Sequence, residues 1–407
     1  TGLIGSTDRR EVLKDADFVV LTFSDRNTHF RGLDCEIAMK HGVRMCSGDT
    51  IGPGGIFRAL REIPHAVKMA EDVQELAPNA WVINFVNPTS VIGIALMRYT
   101  KARSFAICDG QHEPYCRLSD LKRVGILPEE AKSIPSEVED KLDLRISGIN
   151  HFTWLTRFVH DGKDMMPAYR KWLVDRVERE RADAEQSDAG ARADANASAK
   201  RRFNAEYSLQ LMDIFGAYPN RIAHTKEYVP YFQGYGAAEV DPEPIVLFDA
   251  GERQRAMDER WAQTVAYAKG DTPIGEFMDK GMSDHATDII ESMWGGLGKP
   301  FYVNTANRGA VSNMADNAFL ELRCHIDLQG PVPIPVGEIP AGLCGLQQQV
   351  LDTHELTAEA AVKCDRNILL KALVTDPIVN NISDARAIME ESLEREKDAL
   401  PEDWNRD

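Results

Sequence analysis

The sequence of 407 residues contains no apolar stretch approaching the roughly 18 uninterrupted residues that a membrane-spanning helix needs, so no membrane span is expected. It is also short of positive charge. Lys and Arg number 47 against 64 Asp and Glu, a net charge of −17, and no basic stripe interrupts that balance. Such a chain repels a phosphate backbone, which argues against nucleic acid as a partner and favours a small polar molecule. Cysteines are few: the seven, at 35, 46, 108, 116, 324, 344 and 364, form an odd set with no CxxC pair. That argues against a disulfide framework and a zinc ribbon, and fits a reducing, cytoplasmic setting. No signal peptide and no internal repeat are visible. The opening "TGLIGSTDRREVLKDADFVVLTF" enters a helix and a strand without the usual opening strand, so the N-terminal part of the fold is expected to be truncated.

What is present is length enough for two cores and a clear alternation of patterns. From Arg9 to about Gly148, β-rich runs ("ADFVVLTF", "AWVINFVNP", "SFAIC") alternate with helical patterns such as "DCEIAMKHGV" and "FRALREIPHAVKMAEDVQELAP". This predicts an α/β fold: a Rossmann-type parallel sheet over residues 1–147, followed by a mixed α+β domain over 148–407. The segment "LDLRISGINHFTWLTRFV" reads as a strand or hairpin leading into the second part. The charged stretch "RKWLVDRVERERADAEQSDAGARADANASAKRRF" reads as a solvent-facing helix with a mobile middle around "SDAGARADANAS". Later helices are expected at "DERWAQTVAYA", "TAEAAVKCDRNILLKALV" and "SDARAIMEESLEREKDA", and strands at "FYVNTAN" and "FLELRCHID".

Ligands of open parallel sheets sit at the carboxyl ends of the strands, and those ends carry Thr22, Asn87 and the pair Cys108 and Asp109. A lone strand-end cysteine is more often a small hydrophobe, but a carboxylate beside it is costly unless solvated, paired or used. "GINHFTWL" places His151 directly after Asn150 among apolar residues, a setting in which a histidine is more often a core residue than a ligand. One Cys and one His leave open coordination positions, acceptable for a catalytic divalent ion and not for a structural zinc. "GDTIGPGGIFRALREIP" clusters Gly48, Gly52, Gly54 and Gly55 before a helix, a loop whose N–H groups could approach an anion or cofactor. "FGAYPNRIAHTKEYVPYF" is dense in Asn220, Arg221, His224, Lys226, Glu227, Tyr228 and Tyr231, a composition suited to a sugar-facing wall with His224 or Tyr228 as a base.

In order and spacing, "DTIGPGGIFRALREIP", "NFVNPTSVIG", "AICDG", "SGINHFTW", "FGAYPNRIAHTKEYVPYF" and "NRGAVSNMADNAFLEL…VPIPVGEIP" resemble glycoside hydrolase family 4 or its close sister family of NAD-dependent sulfoquinovosidases. This family departs from two-carboxylate glycoside hydrolysis. The resemblance implies a redox route: NAD⁺ takes a hydride from C3 of the sugar, the ketone acidifies the C2 hydrogen, a base removes it and the aglycone leaves C1. Water then adds and the steps reverse, with no net oxidation.

The resemblance further implies Cys108 and His151 as ligands of a divalent metal, with manganese expected, and Asp109 as proton donor to the leaving group. It implies Asn87 and Asn150 close to the sugar hydroxyls and Asp49 with Arg31 at the cofactor and substrate edge. Thr22, by its strand end, is expected with Asp49 and Asn87 at the cofactor, Arg221, by its charge, with Arg31, Asn87 and Asn150 at the substrate, and His224 or Tyr228 as the base, between which the resemblance does not choose. A glycoside with an anionic C6 group (sulfoquinovoside, 6-phosphoglycoside or uronide) is the expected substrate, with Arg31, Arg221 and Lys226 as candidate cations. The protein is expected to be a homodimer or homotetramer. The rival readings are an NAD-dependent sugar or hydroxy-acid dehydrogenase of the lactate and malate dehydrogenase-like fold, which leaves Cys108 without a task, and a non-catalytic binding module.

Overall fold

The computed structural model describes residues 2–187, 192–234, 245–279 and 285–405. A short helix, α1 (Arg9–Leu13), starts where the Asp8 carboxylate accepts the Arg10 N–H. Three short apolar runs then form β1 (Phe18–Leu21), β2 (Trp81–Asn84) and β3 (Arg103–Ala106). Helices α2 (Asn27–Lys40) and α3 (Gly52–Leu76) separate the first two strands and α4 (Thr89–Tyr99) the next two. With helical crossovers between them the strands pair in parallel, Leu21 opposite Asn84 and Asn84 opposite Ala106.

After α5 (Tyr115–Arg123) and α6 (Ser136–Glu139), the strands β4 (Leu142–Ile149) and β5 (Phe152–His160) make the expected hairpin. Short strands β6 (Lys163–Asp164) and β7 (Tyr218–Pro219) pair with β5. β8 (Pro300–Ala306), β9 (Phe319–Asp327) and β10 (Gly330–Pro333) complete the set. All ten strands among the described residues belong to one sheet, in the order β1-β2-β3-β8-β9-β4-β5-β6, with β10 on β9 and β7 on β5. The parallel part meets the antiparallel part where Ala106 pairs with Asn304. The expected boundary at 147/148 falls inside β4, and the two parts share the sheet.

The remaining helices are α7 (Met166–Ser187), α8 (Arg192–Phe215), α9 (Ile222–Thr225), α10 (Ala250–Lys269), α11 (Gly275–Asp279), α12 (His285–Gly295), α13 (Ala341–Lys363), α14 (Arg366–Thr375) and α15 (Ile382–Glu396). Two expectations need correction. The charged stretch is two helices, and α7 is not wholly solvent-facing: Tyr169, Leu173 and Val177, spaced by four, are buried in the core. Part of its expected mobile middle, residues 188–191, lies outside the described residues. The helix expected across "TAEAAVKCDRNILLKALV" breaks at Cys364, which takes a left-handed φ of 50°, and Asp365 caps α14 by accepting the N–H groups of Asn367 and Ile368.

One core joins Val82, Ile83 and Phe105 of the parallel strands to Phe57, Leu60 and Ile63 of α3 and Ile92 and Ile94 of α4, all buried. Each such side chain contributes about 1.5–3 kcal/mol. A second core holds Ile146, Leu155, Phe158, Tyr169, Leu173, Tyr218 and Tyr302.

Candidate active site

Parallel pairing brings the carboxyl ends of β1, β2 and β3 to one edge, where Thr22, Asn87 and Cys108 follow their strands. Thr22 is exposed there. The loop before α3 adds Asp49, and its glycines serve close packing. A Cβ on Gly54 would lie 2.8 Å from the Gly48 carbonyl oxygen, and one on Gly55 would lie 2.4 Å from the Thr50 carbonyl carbon. The first helical amide, that of Gly52, donates to Asp376 Oδ2 at 2.8 Å and so is not open to a ligand.

The β4–β5 turn supplies Asn150 and His151, the latter with a left-handed φ of 64°. This puts His151 Nε2 at 3.2 Å from Cys108 Sγ, both residues buried. Burial, with Glu321 nearby, pushes the Cys108 thiol up to about 12, and burial beside His224 pushes His151 well below its usual range. A buried neutral imidazole touching a buried thiol is a donor pair suited to a divalent cation, which would displace the thiol proton. The buried Nδ1 atoms of His151 and His224 have no hydrogen-bond partner.

Ligand atoms of Asp49, His151 and His224 lie within 4.8 Å of one another. The two imidazoles, however, are stacked, with centroids 4.0 Å apart and planes inclined by 19°. Their in-plane lone pairs therefore lie in nearly parallel planes, so one ion cannot sit in both without a ring turning. Cys108 and His151, with Asp49 within reach of His151, could hold an ion without such a turn, and His224 faces Asp49, its Nδ1 at 3.8 Å from Asp49 Oδ1.

Asp49 is ringed by polar groups. Ser47 Oγ donates to it at 2.8 Å, Asn87 Nδ2 lies at 3.5 Å, and Arg31 and Arg58 lie at 3.6 and 3.9 Å. Burial alone would raise its carboxyl, but Arg31, His224, His151 and Arg58 outweigh burial and hold it well below the usual carboxylate range. Arg31 also donates through Nε to the Ser47 carbonyl at 3.0 Å and stacks on Phe248 at 4.6 Å.

The other expected residues divide. Asp109 is exposed and shares a cavity of about 270 Å³ with Asn220 and Arg221. Arg221 Nη2 donates to the Asp109 carbonyl at 3.3 Å, and the guanidinium pairs with no carboxylate among the described residues. Tyr228 is fully buried, donates to the Asn150 carbonyl at 3.1 Å, stacks on Phe152 and is raised by burial well above the usual phenol range. Lys226 turns away, its ammonium donating to Asn204 Oδ1 at 2.7 Å. Another cavity, of about 620 Å³, lies among Glu113, Arg117, Glu139 and Arg323, whose charges pair with one another.

Sequence reasoning gave no role to Ser47, Arg58 or Glu321, and placed Glu227 in a sugar-facing wall, whereas it is fully buried and turned to the amides of residues 46–48. Glu321, buried and pushed up by burial to about 7, accepts from Asn150 Nδ2 at 3.2 Å. Its signal was a carboxylate within an otherwise apolar strand run, "FLEL".

Residues 3–123 match the profile of the family 4 glycosyl hydrolases, and residues 146–379 match that of their C-terminal domain. The chain is 28% identical over 375 residues to an alpha-galactosidase of Bacillus subtilis (strain 168), covering 91% of this chain and 78% of that one. It is 27% identical over 403 residues to an alpha-galacturonidase of Lachnoclostridium phytofermentans, covering 97% and 82%. The fold is similar to that of a 6-phospho-alpha-glucosidase from gut microorganisms in complex with NAD and Mn²⁺, with a TM-score of 0.72, 23% identity, and coverage of 97% of this chain and 84% of that one. No helix among the described residues is long and apolar enough to cross a membrane. With its two halves matched in order over most of its length, the chain belongs to the family 4 glycosyl hydrolases, enzymes that cleave O-glycosyl bonds.

Proposed function

We propose that the protein is an NAD-dependent glycosidase for glycosides with an anionic C6 group, working by transient C3 oxidation, C2 deprotonation and loss of the aglycone. The observation that carries this reading is the buried Cys108–His151 pair, 3.2 Å apart, at the carboxyl edge of a parallel sheet with Asp49 and His224 beside it. Two-carboxylate hydrolysis has no use for such a pair. Cys108 and His151 would hold the divalent ion, with manganese expected, and Thr22, Asp49 and Asn87 would border the cofactor. When bound, NAD⁺ supplies the hydride acceptor for C3 and the ion supplies Lewis acidity toward the sugar oxygens.

The chain's own groups then have distinct tasks. His224 takes the C2 proton, and Asp49, 3.8 Å from its Nδ1, stabilises the resulting imidazolium. Tyr228 is the weaker candidate, since its hydroxyl is already donated to Asn150 and burial disfavours its ionised form. Asp109, exposed at the cavity, protonates the departing oxygen. Arg221 in the same cavity, free of carboxylate partners among the described residues, suits a C6 carboxylate, phosphate or sulfonate. The alpha-galacturonidase is named for a sugar charged at C6, which supports an anionic substrate; sulfoquinovoside rests on the motif resemblance alone. Seven free cysteines suit a cytoplasmic enzyme, and a homodimer or homotetramer is the assembly we infer.

The test is aglycone release from C6-phosphorylated, C6-sulfonated, uronic and neutral glycosides, with and without NAD⁺ and Mn²⁺, run in D₂O. NAD⁺-dependent release from a C6-anionic member with deuterium entering at C2 is the expected result. Release without NAD⁺, or with the C2 hydrogen retained, would overturn the redox route. Release confined to the neutral glycoside would overturn the anionic substrate.

A further inference from the structure

Glu227 is buried completely, 180 residues from the groups it holds, and its role is not explained by packing. Its Oε1 accepts three successive backbone N–H groups, those of Cys46, of Ser47 at 2.6 Å and of Gly48 at 3.2 Å. Three amides converging on one oxygen form an anion-binding concavity, and the left-handed φ of 62° at Gly48 lets the chain close it. Here the anion is the protein's own side chain. The next residue is Asp49, and Ser47, the middle amide of the three, donates its hydroxyl to Asp49 and accepts Arg31. At the other end the Glu227 N–H donates to the His224 carbonyl at 2.8 Å. One side chain thus links the loop presenting Asp49 to the short helix presenting His224.

We propose that Glu227 is a positioning residue that sets Asp49 against His224 and His151 by filling the amide concavity of residues 46–48. Removing its carboxylate leaves three buried amides without an acceptor, and the loop must move to find others. A small carboxylate from solution fits the emptied concavity, so the defect is repairable without restoring the side chain. A residue that only supported the fold would not behave this way.

The inference rests on the reading of Cys108 and His151 as holders of a divalent ion with Asp49 beside them, so two readouts are used. Amide hydrogen exchange reports the clamp itself, and Mn²⁺ binding measured by electron paramagnetic resonance on the protein without substrate reports its consequence. In Glu227→Ala, exchange at residues 46–48 should accelerate and Mn²⁺ affinity should fall by about 10–100-fold, the range for lost support of a metal site. Millimolar formate should restore both in the variant and change neither in the natural protein. Glu227→Asp, which keeps the charge but withdraws it by one methylene, should shift both in the same direction and decides the matter if the alanine variant does not fold. Unchanged exchange at 46–48 in the folded variant overturns the clamp. Faster exchange with natural Mn²⁺ affinity overturns the positioning role. If the natural protein binds no Mn²⁺, the metal reading fails and the exchange and formate results alone decide the clamp.

Discussion

Gly55→Ala adds one methyl group where the first turn of α3 presses on the loop that carries Asp49. The new Cβ would lie 2.4 Å from the Thr50 carbonyl carbon, 2.9 Å from its oxygen and 3.1 Å from its Cα. Carbon pairs rest at about 3.5–4.0 Å, so the Thr50 backbone must retreat by about 1 Å. It cannot do so alone, because Asp49 is bonded to it and held by Ser47 at 2.8 Å and beside Arg31 at 3.6 Å. Overpacking of this kind costs about 1–3 kcal/mol, and the better helix propensity of alanine returns about 1. The net loss of stability should therefore be about 0–2 kcal/mol by urea unfolding. Activity should suffer more: a displacement of about 1 Å at a reacting group costs about 100-fold in turnover. Gly345→Ala is the matched control. Gly345 lies exposed in α13 with nothing within 4 Å of its built Cβ, so alanine there should leave turnover unchanged and raise stability by up to about 1 kcal/mol. A Gly55→Ala enzyme with natural turnover would refute the claim that these glycines set the Asp49 loop.

Other predictions follow from the same geometry. Tyr228→Phe should lose about 1 kcal/mol of stability with its hydrogen bond to Asn150 and keep most of its turnover. His224→Gln should fall by about 10²–10⁴-fold in turnover, and the opposite ranking would transfer the base role to Tyr228. Cys108→Ser should weaken Mn²⁺ binding at least about 10-fold, measured by the same resonance titration; natural activity in metal-free buffer would remove the metal role. Burial pushes Asp376 up to about 7, from an ordinary 3.8. The folded protein therefore holds this proton more tightly than the unfolded chain does. The resulting stability is full below about pH 4 and lost as pH rises to about 7, by at most about 4 kcal/mol. Asp376→Asn should accordingly gain stability relative to the natural protein between pH 4.5 and 7.5 in parallel urea titrations, and a constant difference would contradict the raised value.

How much of this site could be read from the sequence depends on whether a residue's task is local. Cys108 and Asn87 were legible because an apolar run that ends in a polar side chain marks a strand terminus, and parallel strands bring their termini to one edge. His151 stood out as a polar residue between two apolar strand patterns, which is what a hairpin turn looks like from the sequence. The placement of β8 and β9 between β3 and β4 was not legible, because pairing Ala106 with Asn304 spans about half the chain and leaves no local mark. The segment "HTKEY" shows the limit most clearly, since its polar residues carry equal weight as letters. Once folded, the end of α9 and the turn after it send Lys226 to Asn204, Glu227 to the amides of residues 46–48, and Tyr228 to the Asn150 carbonyl, and leave His224 beside Asp49. Adjacent side chains on so tight a turn point in different directions, so composition can mark such a segment as chemical while only its partners decide which residue reacts. Here the partners lie roughly 20 to 180 residues away, and removing any one of them should change the chemistry of a neighbour whose own letter is unchanged.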